Sequence, residues 1–89
     1  MPRVLFTPQL KRFLDVPEVR SDATTLRAAL AASFEGNPRL RGYVLDEQGH
    51  LRANVVVFID GRRCHDRTVL DDPLTPDSTV HVLQALSGG

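Results

Sequence analysis

Between residues 24 and 35, apolar and small side chains recur with the spacing of an α-helix. Five of them fall at positions i, i+3, i+4, i+7 and i+8 and therefore share one helix face: Leu26, Ala29, Leu30, Ser33 and Phe34. Three polar side chains near the start can accept hydrogen bonds from unpaired backbone N–H groups: Asp22, Thr24 and Thr25. Gly36 followed by Asn37-Pro38 is typical of a helix end. The pattern predicts a helix over about Thr24–Glu35.

Short runs of branched and aromatic residues on either side of this helix predict β-strands. Before the helix, Val4–Thr7 is the opening strand and Val16–Val19 is the second. The second strand is expected at a sheet edge because Pro17 has no N–H to donate. After the helix, residues 39–53 are predicted to be irregular, with a brief pairing at Tyr43–Leu45.

The second half of the chain has the pattern of a hairpin and a final strand. Val55–Ile59 is rich in β-branched residues and is predicted to be a central strand. Asp60-Gly61 is a strong signal for a two-residue turn, so Arg62–His65 should return antiparallel. Thr79–Ala85 is the last predicted strand. Strands on both sides of one main helix favour an α+β domain, in which a mixed sheet of about four or five strands carries the helix on one face.

Composition and charge exclude several classes of protein. The chain has 89 residues, enough for one small core, and we place a single domain at residues 1–86 and a flexible tail at 87–89. Eleven basic and eleven acidic side chains balance, so no overall attraction to nucleic acid or an anionic membrane is expected. No apolar run approaches the length of a membrane span. Cys64 is the only cysteine, which excludes an internal disulfide and suits a reducing compartment. We expect a cytoplasmic monomer.

The chain ends in Gly88-Gly89, which is a candidate functional feature. Glycine has no Cβ, so this end is the thinnest that a peptide can have. A carboxylate on such an end can enter a narrow active-site channel of a partner enzyme. The alternative is a flexible tail, or an expression remnant, without a function.

The residues before the two glycines closely resemble ubiquitin. Residues 67–89 align with its C-terminal segment without a gap, and Ser78–Val82 stands where ubiquitin has Ser-Thr-Leu-His-Leu. The rest of the chain resembles the small prokaryotic sulfur carriers of the MoaD and ThiS type. Leu45–Arg52 is similar to an acidic-Gly-x-Leu-Arg insertion in some of these carriers, and Asn54–Gly61 resembles the strand and turn that follow it. The resemblance implies the β-grasp fold.

The resemblance also implies a function for the tail. An E1-like adenylyltransferase of the MoeB or ThiF type would adenylate the Gly89 carboxylate, and a sulfur nucleophile would convert it to a thiocarboxylate. Gly88 would keep the approach slender. The protein would then be a carrier rather than an enzyme, with no permanently bound cofactor, because the partner uses ATP and Mg²⁺. A sulfur-accepting synthase would be the second partner, and cysteine, thiolated tRNA, molybdopterin and thiazole all remain open as products.

The partner must also bind the folded domain. Side chains alternate between the faces of a strand, so if Val80 and Val82 point to the core, His81 and Leu83 point outward. Resemblance to ubiquitin implies that these outward positions belong to a recognition surface, together with a position on the neighbouring strand near Val56. The predicted partner-binding residues are Phe58, His81, Leu83 and Leu86.

The sequence is also compatible with two other functions. A ubiquitin-like interaction module with an unactivated tail, and a modifier of other proteins, are the alternative functions. With Lys11 as its only lysine, the chain offers little scope for building polymers on itself. Cys64 and His65 should point to opposite faces, which favours a structural cysteine. The three histidines lack zinc-ligand spacing, so no metal site is expected. Asp71-Asp72 is expected in a solvated loop.

Overall fold

The computed structural model describes residues 1–7 and 18–84. Its strands and helices within those ranges are, in chain order, β1 Arg3–Phe6, β2 Val19–Arg20, α1 Leu26–Phe34, α2 Pro38–Val44, β3 Val55–Ile59, β4 Arg62–Arg63 and β5 Thr79–Gln84. The strands form one sheet in the order β2-β1-β5-β3-β4. β1 and β5 are parallel, whereas the other neighbours are antiparallel. The sheet is therefore mixed, as predicted. Its central strand is β5, whereas β3, which was predicted to be central, lies between β5 and the edge strand β4.

Helix α1 forms where the sequence predicts it. Thr25 is the N-cap, and its hydroxyl accepts a hydrogen bond from the N–H of Ala28 at 3.2 Å. All five residues of the predicted apolar face are buried. Ser33, the polar member of that face, donates to the carbonyl of Ala29 at 2.9 Å, which satisfies its hydroxyl inside the core. Burial of a leucine such as Leu30 contributes about 2 kcal/mol, so packing rather than propensity stabilises this nine-residue helix.

Helix α2 was not predicted, and the expectation that residues 39–53 are irregular is wrong for residues 39–44, which belong to this helix. Proline lacks an N–H and ends a preceding helix, but for the same reason it suits the first turn of the next one. Leu40 and Val44 are four positions apart and both are fully buried. Their burial holds a short helix that contains Gly42, a residue that weakens helices. The expected pairing near Tyr43–Leu45 is present only as a bridge between Leu45 and Leu51.

The β3–β4 hairpin has the predicted turn. Asp60 and Gly61 both have positive φ, 51° and 85°, as a two-residue type I′ turn requires. β4 is shorter than predicted and ends at Arg63. Cys64 still donates its N–H to the carbonyl of Val57 at 2.9 Å, but the N–H of His65 turns away to a carboxylate oxygen of Asp72 at 2.8 Å.

The positions of the remaining elements agree with the pattern. β2 lies at a sheet edge, as predicted, but it is formed by Val19–Arg20 and not by Val16–Val19: Glu18 lies in a bend, and Val16 and Pro17 fall outside the described residues. The core lies between the helices and one face of the sheet, and it includes Leu26, Leu70, Val57 and Val80. In the part of the chain that the structure describes, no helix is long and apolar enough to cross a membrane.

Candidate docking face of the sheet

The two faces of the sheet differ because the helices cover only one of them. Along β5, Val80 and Val82 are fully buried, whereas His81 and Leu83 are exposed. This alternation is the one predicted from the sequence. The side chain of Leu83 is 39% exposed, and it is one of the few large apolar residues in the described chain that reach the solvent to this extent.

Strand register shows which residues surround His81 and Leu83. His81 lies between Leu5 of β1 and Phe58 of β3, and Leu83 lies beside Val56 of β3. Directly paired residues in neighbouring strands project from the same face of a sheet. Leu5, Val56 and Phe58 are each partly exposed. Together these residues form the sheet-face patch, defined as Leu5, Val56, Phe58, His81 and Leu83.

The structure brings together three of the four predicted partner-binding residues, Phe58, His81 and Leu83. Leu5 joins them although no local pattern around it indicates this, because its place depends on the parallel pairing of β1 with β5. Leu86, and also Gly88 and Gly89, lie outside the described residues, so their roles stay predictions.

Two arginines lie beside the sheet-face patch. Arg63 pairs with Phe58 across the β3–β4 hairpin and is exposed. Arg3 donates to the hydroxyl of Thr79 at 3.0 Å and lies 3.6 Å from the carboxylate of Glu18. Such surface ion pairs contribute about 1 kcal/mol or less, so the patch is defined by its apolar side chains more than by its charges.

Solved structures resemble this arrangement over almost the whole chain. Small archaeal modifier protein 1 from Haloferax volcanii is 21% identical, with 99% of this chain and 98% of that chain covered and a TM-score of 0.83. CysO, in the Amycolatopsis orientalis BexX/CysO complex, is 14% identical, with 100% of each chain covered and a TM-score of 0.84. Urm1 from Sulfolobus solfataricus is 17% identical, with 93% and 99% covered and a TM-score of 0.70.

The chain has the β-grasp fold. No protein-family model and no curated protein sequence matches it. The identities to the solved structures are so low that they support the shared fold alone. Within this β-grasp domain, the sheet-face patch occupies the open face, and the central strand β5 leads toward the Gly-Gly end of the chain.

The candidate thiol, Cys64, belongs to the hydrophobic core. Cys64 is 8% exposed, and its burial raises the pKa of its thiol, so the reactive thiolate is disfavoured. His65 is exposed, which agrees with the two side chains pointing apart. Asp71 is exposed as expected, whereas Asp72 is partly buried and accepts the N–H of His65. Across residues 1–7 and 18–84 no cluster of His, Cys, Asp or Glu could hold a metal ion.

Two aspartates organise loops of the domain through backbone N–H groups. Asp46 accepts from Gln48 and His50 at 2.8 and 3.0 Å, and the bond from His50 is the largest cause that lowers its pKa. Asp66 accepts from the hydroxyl and N–H of Thr68 and from the N–H of Val69. These bonds, led by the Thr68 hydroxyl, lower the pKa of Asp66 to about 2.

We expect the stabilisation by Asp66 to depend on pH in acid. Its folded pKa lies below its unfolded value, so the stabilisation is present at neutral pH and is lost as pH falls from about 4 towards 2. Asp66→Asn should therefore melt at a lower temperature than the wild type. The difference between the two melting temperatures should be largest near neutral pH and should shrink in that acid range. Thermal melts followed by circular dichroism at several pH values measure it.

A control separates this effect from general acid unfolding. Asp22→Asn changes an exposed carboxylate for which the described residues provide no such N–H donors. Its melting temperature should stay close to that of the wild type at neutral pH, because this change removes no hydrogen bond to the described residues. A deficit of Asp66→Asn that stays constant down to about pH 2 would contradict the expectation.

Proposed function

We propose that the chain is a ubiquitin-like sulfur carrier that is charged at the carboxylate of Gly89. In the first step a carboxylate oxygen attacks the α-phosphorus of ATP, forming an acyl-adenylate and releasing pyrophosphate. In the second step hydrosulfide attacks the acyl carbon, AMP leaves, and a proton is released as the thiocarboxylate forms. A carboxylate oxygen is a poor leaving group, so adenylation divides a difficult substitution into two easier ones.

The observation that carries this proposal is the position of the sheet-face patch on β5. His81 and Leu83 are exposed on the strand that ends at Gln84, five residues before Gly89. A partner that binds the patch therefore holds the chain close to its reacting end. Binding energy gained on the domain can position the carboxylate, which is how remote contacts assist a reaction.

This chain and its partner enzymes would supply different chemical groups to the reaction. The Gly89 carboxylate supplies the reacting oxygen, and an E1-like adenylyltransferase of the MoeB or ThiF type would supply Mg²⁺, ATP and catalytic side chains. A sulfur-accepting synthase would then consume the thiocarboxylate, and both steps suit a cytoplasmic protein. Among the solved β-grasp structures, CysO occurs in a complex with a second protein, BexX. This supports a role as a co-substrate rather than an enzyme.

Mass spectrometry of the intact protein tests the proposal. The chain is incubated with an E1-like enzyme from the same genome, ATP and sulfide. The expected result is a mass increase equal to the replacement of one oxygen by one sulfur, dependent on ATP and mapped to the C-terminal peptide. The proposal requires Gly89 to carry the free carboxylate in the cell. A native protein that retains residues after Gly89, or an unchanged mass with an enzyme active on another carrier, would overturn it.

A second candidate function is the modification of other proteins. It is favoured by a specific similarity, because Haloferax volcanii and Methanosarcina acetivorans proteins with this fold are named small archaeal modifier proteins. Both functions begin with activation of Gly89, and they differ in the acceptor. Isopeptide-linked conjugates between Gly89 and lysines of cellular proteins would show modification, whereas free thiocarboxylate would show sulfur transfer.

The sheet-face patch is expected to determine the rate of charging. Leu83→Ala removes an exposed apolar side chain from the proposed interface, where the loss of an anchor costs about 2 kcal/mol, or roughly 30-fold in kcat/KM for the carrier. Val69→Ala is the matched control, since Val69 is 51% exposed but lies in a loop outside the patch. Steady-state AMP release measures both variants, and equal effects at the two positions would contradict this use of the patch.

A further inference from the structure

A recessed surface, separate from the sheet-face patch, lies on the side of the domain that carries the helices. It is a cavity of about 270 Å³, bounded by α1, by the end of α2 and by the loop before Asp71. Its walls are mostly apolar side chains of the core: Leu30, Phe34, Leu45 and Leu70. Because the sheet-face patch occupies the opposite face of the sheet, the two surfaces can be occupied independently.

Two arginines stand at the rim of this cavity. A Cβ placed on Gly49 would lie 3.4 Å from Nη1 of Arg27 and 4.0 Å from Nη2 of Arg41, so both guanidinium groups flank the same backbone position. Arg27 is fixed, because it donates to the carbonyls of Thr68, Val69 and Gly49 at 2.7, 3.0 and 3.2 Å.

Arg41 differs from Arg27 in its partners. Its side chain makes no hydrogen bond or ion pair with any residue in the ranges 1–7 and 18–84. Glu35 is the single carboxylate among the cavity-lining residues, against the two guanidinium groups. The recess therefore combines an apolar floor with an excess of positive charge at its rim, and one of its cations is available to a ligand.

We propose that this cavity binds an acidic-apolar peptide segment of a protein partner. An aliphatic or aromatic side chain would fill the space over Leu30 and Leu45, and a neighbouring Asp or Glu would pair with Arg41. A guanidinium binds a carboxylate through two parallel hydrogen bonds, which gives direction as well as attraction. Arg27 would add positive potential without leaving its carbonyl partners.

The size of the cavity favours a peptide anchor over a whole small molecule. Pockets for small molecules have volumes of about 300–1,000 Å³ and enclose most of the ligand, whereas this recess is slightly smaller and open to one side. A single side chain fits such a space, while the backbone that carries it stays at the rim. Amphipathic peptides bind apolar grooves through anchors of this kind.

Nuclear magnetic resonance can test the proposal with defined peptides. The probe is a terminally blocked tetrapeptide, Asp-Phe-Asp-Glu, titrated into the ¹⁵N-labelled full-length protein. Saturable shifts are expected at backbone amides around the cavity, including Leu30, Phe34, Arg41 and Leu45. The neutral peptide Asn-Phe-Asn-Gln should bind at least about tenfold more weakly, because it lacks the charge-assisted hydrogen bonds. Asp-Ala-Asp-Glu should also weaken, because it lacks the apolar anchor.

Matched variants locate the binding. Arg41→Gln should weaken the acidic peptide about tenfold, whereas Arg39→Gln, on the same helix but outside the cavity, should not. Ala31→Leu narrows the recess without changing its charge, so it should weaken peptide binding. Ala28→Leu is the matched control, since Ala28 is an exposed residue of α1 that does not line the cavity. Absence of saturable shifts at the cavity, equal binding of the neutral peptide, or equal effects of the two arginine variants would overturn the proposal. These outcomes are independent of sulfur charging at Gly89.

Discussion

Deletion of Gly88 and Gly89 is expected to abolish the sulfur-dependent mass increase completely. The new carboxylate would belong to Ser87 and would lie about 7 Å short of its former reach, at roughly 3.5 Å for each residue. Reacting atoms must approach to about 3–3.5 Å, so the shortened chain cannot meet ATP while its domain stays bound to the partner. Intact-mass analysis after incubation with the E1-like enzyme, ATP and sulfide measures the loss.

The controls distinguish a chemical loss from a structural one. The deleted residues follow β5, which ends at Gln84, so the thermal melt should match that of the full chain. Ser87→Ala keeps both glycines and the chain length, and it should be charged at close to the wild-type rate. A deletion variant that keeps cellular function while Leu83→Ala loses it would favour a ubiquitin-like interaction module instead.

Replacement of Leu70 by alanine or glycine is expected to cause a large loss of stability. Leu70 is fully buried, and truncation of such a leucine to alanine costs about 2–5 kcal/mol. It also has a positive φ of 57°, a conformation that disfavours residues with a Cβ by about 1–2 kcal/mol. Leu70→Ala keeps that strain, whereas Leu70→Gly relieves it at an entropic cost of about 0.5–1 kcal/mol.

At this position glycine is therefore expected to be less destabilising than alanine, which is the reverse of the usual order. Leu70→Gly should be more stable than Leu70→Ala by up to about 1.5 kcal/mol, although both are less stable than the wild type. In helix α1 the order should reverse, so that Leu30→Gly is less stable than Leu30→Ala by about 1 kcal/mol. Urea unfolding of the four variants measures these differences. The same order at both positions would contradict the left-handed conformation of Leu70.

The start of helix α1 explains why Leu70 adopts this conformation. The N–H of Arg27 donates to the carbonyl of Leu70 at 2.8 Å, and the N–H of Leu26 donates to that of Asp72 at 2.9 Å. The Arg27 side chain binds the carbonyls of Thr68 and Val69. The loop thus satisfies N–H groups that a helix start leaves unpaired, and in return the helix fixes the loop around a buried leucine.

Much of the fold could be predicted from periodicity and turn chemistry. The spacing of Leu26, Leu30 and Phe34 gave the main helix, and Asp60-Gly61 gave the hairpin turn with both residues at positive φ. Alternation along β5 gave the outward direction of His81 and Leu83. These features depend on residues close together in the sequence, whose geometry is set by local sterics and by the side-chain period.

Helix α2 and the cavity beside it could not be predicted in this way. Pro38 is compatible both with the end of one helix and with the start of another, and burial of Leu40 and Val44 in the folded domain decides between them. The position of Arg41 beside Arg27 follows from that choice, because it requires α2 and the Gly49 turn to pack against α1.

The sequence by itself determined the main helix, the order of the strands along the chain, the outward direction of His81 and Leu83, and the two glycines on which the proposed chemistry depends. The tertiary structure alone decided that Leu5 joins His81 on the open face, because β1 and β5 pair across more than seventy positions of the chain. It also decided the helix at Pro38–Val44 and the left-handed conformation of Leu70. Local sequence patterns determine the backbone conformation and side-chain direction of residues that are close in the chain. Contacts between distant segments depend instead on the free energy gained when the surface between them is buried.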